Sequence, residues 1–209
     1  PNAPGAEIVT GPPGLAAQRN RGMEAAHGAD IVVFYDDDFV PTPGALASIE
    51  ALFAKRPDIA GATGHVAADG AGAAPISDAA AAEICRTLHL FPPANKERAV
   101  IGLYGCNMAI RMTAAEGVLF DERLPLYGWQ EDLDFGARLS TRGAVIKTSA
   151  FAGVHRGVKS ARPRETGLGY AQLANPANLI RRGDIPAWYL LRLMARNMLA
   201  NHFSGAPVA

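Results

Sequence analysis

The chain has 209 residues, of which 49% are hydrophobic and 19% charged, and this composition is typical of a globular protein rather than a disordered one. Its 20 basic and 20 acidic residues cancel, which argues against a nucleic-acid partner, and no apolar run approaches the ~20 residues of a membrane-spanning helix. Cys85 and Cys106, outside any CxxC pair, exclude a disulfide framework and a zinc motif, so with no secretory signal we expect a cytoplasmic enzyme or binding domain.

Helices and strands alternate in the first part of the chain. A Gly/Pro turn opens an alanine-rich helix over residues 11–28, and the apolar run 30–35 follows as a buried strand. Thr42 with Pro43 predicts the N-terminus of a second helix, which ends near Lys55, and Ile59 to Val66 reads as the next strand. This βαβ order predicts an α/β fold with a mostly parallel sheet.

The remaining elements are predicted from weaker patterns. Ser77 or Asp78 caps a helix that runs to about Leu90, and residues 99–111 form a strand pair or a strand bent at Gly105. A short helix follows from Thr113. The later elements are a helix over 129–142, one or two strands over 144–155, and two tail helices over about 166–182 and 185–203.

Three consecutive carboxylates, Asp36, Asp37 and Asp38, follow the buried strand directly. Ligands of open α/β sheets bind at the carboxyl ends of the strands, and Mg²⁺ takes one or two protein carboxylates and completes its shell with phosphate and water. The triplet therefore indicates a site for a metal and a diphosphate. A solvated acidic turn before the next helix is the alternative interpretation.

A second acidic cluster lies at the start of the helix predicted over 129–142. Glu131 or Asp132 in its first turn could act as a general base toward a hydroxyl, and Trp129 offers an apolar face on which a sugar could stack. The alternatives are stabilisation of the helix dipole by these carboxylates, and core packing for Trp129.

His155 ends an apolar stretch and precedes a run of basic side chains. A single histidine at such a place is either a structural residue or a metal ligand. The arginines suit bidentate contacts with phosphates, and a solvated basic loop is the alternative. The basic residues are Arg156, Lys159, Arg162 and Arg164.

Taken in order, these segments resemble the family 2 glycosyltransferases, which have the GT-A fold. The resemblance covers about residues 7–160 and is carried by 14–22, by 31–38 with Pro41, and by four later segments. Those are Gly105-Cys106-Asn107-Met108-Ala109-Ile110-Arg111, Phe120-Asp121-Glu122, Glu131-Asp132-Leu133-Asp134-Phe135-Gly136-Ala137-Arg138, and His155. The sequence contains no Gln-x-x-Arg-Trp motif of the processive members, which favours transfer of one sugar.

The resemblance implies an inverting, metal-dependent transfer of a sugar from a nucleotide-sugar donor to a glycan or lipid-linked acceptor, in bacterial polysaccharide or glycolipid assembly. Mg²⁺ or Mn²⁺ is the implied cofactor. The implied roles are donor binding by Arg19 and Asp36, metal binding by Asp38 and His155, and catalysis by Asp132 as base with Glu131 orienting the acceptor. We also expect Asp37 and Arg156 to bind the donor, and Trp129 and Asn107 to bind the acceptor.

We expect a glycosyltransferase domain over 1–160 that lacks the first nucleotide-binding unit usual in the family, and a helical extension over 161–209 packed on the same domain. The last helix has a broad apolar face with Arg192 and Arg196 opposite. It predicts packing on the domain or on a homodimer partner, or attachment to the inner face of the cell membrane. A nucleotidyltransferase of related fold, or an inactive sugar- or nucleotide-binding domain, are the alternative functions.

Overall fold

The computed structural model describes residues 5–71, 74–124, 126, 128–158 and 165–203, which form an α/β structure. The described residues contain six strands and seven helices. In chain order they are α1 (Leu15–Ala25), β1 (Ile31–Tyr35), β2 (Phe39–Pro41), α2 (Ala45–Lys55), β3 (Ile59–Asp69), α3 (Asp78–Leu90), β4 (Glu97–Ala99), β5 (Asn107–Arg111), α4 (Met112–Ala115), α5 (Glu131–Leu139), β6 (Ala144–His155), α6 (Glu165–Arg182) and α7 (Ala187–Phe203).

The strands form one mixed sheet in the order β1-β5-β3-β6-β2, with β4 paired to β6. The α/β class is confirmed, but the prediction of a mostly parallel sheet is wrong for the described residues, because only β3 and β6 pair in parallel. The βαβ pattern correctly predicts that β1 and β3 run in the same direction. It does not predict that β5 inserts between them and runs antiparallel to both.

Helices cover both faces of the sheet. Ile49 and Phe53 of α2 pack on one face together with Ala109, whereas Phe135 of α5 packs on the other face with Met108. Neighbouring residues of β5 therefore point into different cores, as the alternation of side chains along a strand requires. Because helices cover both faces of the sheet, a ligand can reach it at the ends of the strands. In open α/β sheets, ligands bind at the carboxyl ends.

The predicted helix starts are partly correct. Ser77 caps α3, because its hydroxyl accepts a hydrogen bond from the backbone N–H of Ala80 at 3.3 Å. The prediction that Thr42 caps α2 is wrong. The helix begins after Gly44, in the left-handed conformation, while the Thr42 hydroxyl donates to the carbonyl of Ala152 in β6.

The two tail helices pack against α5. Ile185 and Leu190 share a buried apolar cluster with Leu133 and Leu179, and this cluster joins α5 to α6 and α7. The opposite side of α7 remains exposed at Trp188 and at three further apolar side chains, Leu191, Met198 and Leu199. None of the helices within the described ranges is both long and apolar enough to cross a membrane.

Candidate functional site

The acidic triplet lies where the carboxyl ends of three strands meet. Asp36 follows the last residue of β1, and the turn 36–38 leads directly into β2, which pairs with the end of β6. β6 ends at His155 and β3 ends at Asp69, and these two residues are partners in the parallel register. Their side chains therefore lie at the same end of the sheet as the acidic turn. The fold therefore gathers polar residues from separate parts of the sequence at one place.

His155 is held between two carboxylates. Its Nδ1 lies 2.9 Å from Oδ1 of Asp69, and its Nε2 lies 3.3 Å from Oδ1 of Asp38. The hydrogen bond to Asp69 raises the pKa of His155, and partial burial opposes this. Burial alone would raise the pKa of Asp69, but hydrogen bonds from His155 and from the Tyr104 hydroxyl outweigh it and lower that pKa to about 2.

Asp36, Asp38 and His155 form a group that could hold a divalent cation. One ligand atom from each side chain can be chosen so that all three lie within 4.8 Å of one another. Carboxylate oxygens suit Mg²⁺ and Mn²⁺, and an added imidazole nitrogen suits the transition metal better. The donor set thus fits a divalent metal, and two of its three members are the metal ligands that the sequence suggested.

Arg19 of α1 connects the acidic turn to α5. Its guanidinium forms a buried ion pair with Glu131 and lies 3.3 Å from the Asp36 carboxylate. Burial raises the pKa of Glu131 well above its ordinary value, and Arg19 partly offsets this. Burial also raises the pKa of Asp36, again opposed by Arg19. Arg19 is therefore the positive charge that contributes most to stabilising the ionised forms of Asp36 and Glu131.

Asp132 is fixed by two backbone N–H groups. Its Oδ2 accepts a hydrogen bond from Gly105 at 2.7 Å, and its Oδ1 accepts one from Leu133 at 2.8 Å. Gly105 has no room for a side chain, because an added Cβ would lie 2.4 Å from the Arg19 guanidinium. The segment before β5 therefore runs directly between Arg19 and Asp132.

Two of the predicted donor-binding residues, Asp37 and Arg156, have side chains that do not pair with Arg19, Asp132 or His155 in the described part of the chain. Asp37 is exposed at the middle of the turn. The guanidinium of Arg156 donates to the carbonyl of Ile76 and pairs with Asp78 at 2.6 Å, so it faces the start of α3. The other basic residues of the predicted phosphate loop, at 159, 162 and 164, lie outside the described residues.

The two predicted acceptor-binding residues have different surroundings. Trp129, two residues before Glu131, is half-buried, and its carbonyl accepts a hydrogen bond from Asn175 of α6. Asn107 is completely buried, and its side-chain amide has no hydrogen-bond partner in the described part of the chain. Contact between Asn107 and an acceptor requires a movement that uncovers it.

Sequence reasoning missed Asp69 and Tyr104. Asp69 is the last residue of a strand, and Asp36 directly follows one. An acidic residue at the end of a strand was the signal by which Asp69 could have been found. The apolar pattern suggested that β3 ends at Val66, whereas the strand continues to Asp69. Tyr104 carries no motif, and its role depends on the turn that brings its hydroxyl 2.7 Å from Asp69.

A scan against protein-family models matched residues 3–119 to Glycosyl transferase family 2, which is more than half of the chain. The chain belongs to glycosyl transferase family 2. A search of the curated proteins found no match. The mixed sheet flanked by helices agrees with a GT-A-like fold, and family membership makes this protein a glycosyltransferase that binds a nucleotide-sugar donor and an acceptor. The acidic turn lies inside the matched range, while α5 and His155 lie beyond it.

Proposed function

We propose that this glycosyltransferase moves one sugar from a nucleotide-sugar donor to an acceptor hydroxyl with inversion at the anomeric carbon, and that it requires Mg²⁺ or Mn²⁺. The observation that carries the proposal is the convergence of Asp36, Asp38 and His155 at the edge of the sheet. These residues would hold the cation. When bound there, it would supply Lewis-acid stabilisation of the charge on a diphosphate leaving group.

The donor is proposed to lie along the carboxyl edge of the sheet. Asp36 would lie on the ribose side of its nucleotide, with the buried Arg19 near the nucleotide and next to Asp36, and Asp37 is exposed where it could approach the donor. Arg156 would have to release Asp78, which is itself largely exposed, to reach a phosphate. It would also have to release the carbonyl of Ile76, to which its Nε donates at 3.1 Å.

Asp132 is proposed as the general base. The acceptor oxygen forms a bond to the anomeric carbon while the bond from that carbon to the diphosphate oxygen breaks, and the hydroxyl proton passes to the Asp132 carboxylate. The hydrogen bond from Gly105 fixes this carboxylate before the acceptor arrives. Glu131, held by Arg19, would keep the start of α5 in place and orient the acceptor.

Trp129 is proposed to stack against the acceptor sugar, because it lies two residues before the first carboxylate of the acidic cluster and is partly exposed. Asn107 is proposed to contribute after uncovering of its amide. By analogy with the family, the acceptor is a glycan or a lipid-linked glycan, and the setting is polysaccharide or glycolipid assembly in bacteria.

We further propose that α7 contacts the anionic inner face of the membrane. Trp188, Leu191 and Met198 are exposed on it, and Arg192 and Arg196 are exposed beside them. The helix carries no acidic residue, so its charge complements an anionic lipid surface. In a twofold homodimer through the same face, both copies would bring these arginines into one interface without an acidic residue of α7 to pair with them, which disfavours that arrangement.

The function is tested by following a panel of nucleotide sugars with candidate acceptors by NMR, with Mn²⁺ and with a chelator. We expect one donor to be consumed only with the cation, and the product to have the opposite anomeric configuration. Retention of configuration would contradict the single displacement, and consumption unaffected by the chelator would contradict the cation requirement. Metal-dependent binding of a donor without turnover against any acceptor would favour a binding domain.

A further inference from the structure

A carboxylate and a phenol lie behind the imidazole of His155, on the side away from the acidic turn. Asp69 accepts a hydrogen bond from the Tyr104 hydroxyl through Oδ2 at 2.7 Å and meets Nδ1 of His155 through Oδ1 at 2.9 Å. The Tyr104 ring stands nearly perpendicular to the imidazole, with ring centres 6.1 Å apart. On this side of the ring, Asp69 therefore contacts Nδ1, and the Tyr104 hydroxyl lies 3.4 Å from the same nitrogen.

The backbone makes this contact a fixed one. Asp69 and His155 are register partners at the ends of two parallel strands, and the N–H of Gly70 donates to the carbonyl of His155 at 2.8 Å. His155 itself is buried. A side chain held in this way has little freedom to rotate its ring.

The two nitrogens of the His155 imidazole differ in protonation and in what they face. An ionised Asp69 can only accept, so Nδ1 carries the proton that it donates to Asp69. This leaves Nε2 as the nitrogen that faces Asp38, at 3.3 Å from its Oδ1. Metal-binding histidines commonly donate their second N–H to a carboxylate, which fixes the orientation of the ring and strengthens the ligand.

We propose that Asp69 and Tyr104 are positioning residues that hold His155 with Nε2 directed into the group formed with Asp36 and Asp38. The inference rests on the proposed metal-dependent function. Asp69 receives the imidazole N–H, and Tyr104 occupies the other oxygen of Asp69 so that this carboxylate does not rotate. Neither residue contacts the cation or the donor.

Tyr104 also connects the candidate metal ligands to the proposed base. It directly precedes Gly105, whose N–H donates to Asp132. The next residue is Cys106, whose carbonyl accepts the N–H of Asp36. Three consecutive residues therefore contact the histidine support, the proposed base and the acidic turn. A change at Tyr104 is expected to affect both metal affinity and the placement of the base.

The test is the affinity of the nucleotide-free protein for Mn²⁺, measured by electron paramagnetic resonance at one neutral pH. Loss of an outer-shell partner typically weakens a metal site 10- to 100-fold, so we expect about this loss for Asp69→Ala and a smaller one for Tyr104→Phe. Asp69→Asn keeps an acceptor oxygen and should recover part of the affinity. Asp30→Asn removes the same charge at the opposite end of β1 and should leave the affinity unchanged.

Combination with His155→Ala separates positioning from other effects. If Asp69 acts through His155, the Asp69→Ala/His155→Ala variant binds Mn²⁺ no more weakly than His155→Ala. Wild-type affinity in folded Asp69→Ala and Asp69→Asn, alongside weak binding by His155→Ala, would overturn the positioning role and leave the metal site standing. Unchanged affinity in both His155→Ala and Asp38→Ala would overturn the metal site, and this inference with it.

Discussion

The guanidinium of Arg19 and the carboxylate of Glu131 form an ion pair between α1 and α5, and both side chains are almost completely buried. The same guanidinium reaches Asp36 at 3.3 Å. Arg19 therefore joins the acidic turn, where the candidate metal ligands lie, to the helix that carries the proposed base. The Oε2 atom of Glu131 has no hydrogen-bond partner in the described part of the structure. Arg19 is therefore the main group that stabilises the negative charge of Glu131.

Replacement of Arg19 is expected to destabilise the fold. Arg19→Met leaves the Glu131 carboxylate buried without its cation, and removal of one partner of a buried pair typically costs about 3–5 kcal/mol. Urea unfolding at neutral pH measures this loss. The double variant Arg19→Met/Glu131→Leu, which removes both charges, should be more stable than the single variant. A single variant as stable as the wild type would contradict the account of this pair.

The stability of Arg19→Met should also depend on pH. Burial raises the pKa of Glu131, and loss of Arg19 raises it further. A carboxyl whose pKa is higher in the folded state binds more protons when folded, so stability declines as pH rises from the unfolded pKa toward the folded one. The destabilisation relative to the wild type should therefore be smaller in acid than at neutral pH. Equal destabilisation throughout would mean that Glu131 does not take up the proton.

Asp132→Asn is expected to separate catalysis from binding. The amide oxygen can still accept the hydrogen bond from Gly105 and only the one from Leu133 is lost, but the side chain no longer accepts a proton from the acceptor. We predict that transfer falls by about 10²-fold or more while donor affinity changes little. Initial rates and calorimetry on the same preparation provide the two values. A parallel loss of affinity would instead assign Asp132 a structural role.

Gly105→Ala is expected to disturb the site through Arg19. The new Cβ would lie 2.4 Å from the guanidinium, which is buried and already paired, so accommodation costs about 1–3 kcal/mol and displaces Arg19. We expect lower stability and lower transfer activity. Gly169→Ala in α6 is the matched control, because its Cβ meets nothing within 4 Å and alanine favours a helix. Identical behaviour of the two variants would show that the space beside Arg19 does not matter.

Membrane contact through α7 predicts sedimentation with vesicles of phosphatidylglycerol but not of phosphatidylcholine alone, with weaker binding at high salt. Arg192→Glu/Arg196→Glu should reduce the partition coefficient at least tenfold, since each basic residue contributes about 1 kcal/mol at such a surface. Trp188→Ser should weaken binding through lost apolar contact. Analytical ultracentrifugation is the control, and a dimer disrupted by the same changes would contradict the membrane assignment.

The sequence predicted the local elements around the site better than their arrangement. A continuous apolar run followed by three carboxylates identifies the end of β1, because side-chain polarity and charge change abruptly there. Asp38 and His155 are 117 positions apart in the chain and were grouped only through family resemblance, but the β2–β6 pairing brings them into contact. Strand pairing between distant segments leaves little trace in local hydrophobic patterns.

The supporting residues were beyond sequence reasoning for a different reason. Glu131 and Asp132 are adjacent and chemically alike, yet one is buried against Arg19 and the other meets Gly105. Which neighbour points in which direction depends on the left-handed conformation of Gln130 before α5. Local propensity disfavours that conformation for glutamine and does not predict it. Asp69 was missed because β3 extends past its apolar portion.

The central claim is that Asp36, Asp38 and His155 form a cation-dependent site for the nucleoside diphosphate of the donor. Calorimetric titration with UDP, GDP, ADP and TDP, with and without Mn²⁺, tests it most directly, with Asp38→Ala as the paired variant. We predict that one of these diphosphates binds the wild type only with Mn²⁺ and does not bind the variant. Binding that is independent of Mn²⁺, or equal in Asp38→Ala, would contradict the claim.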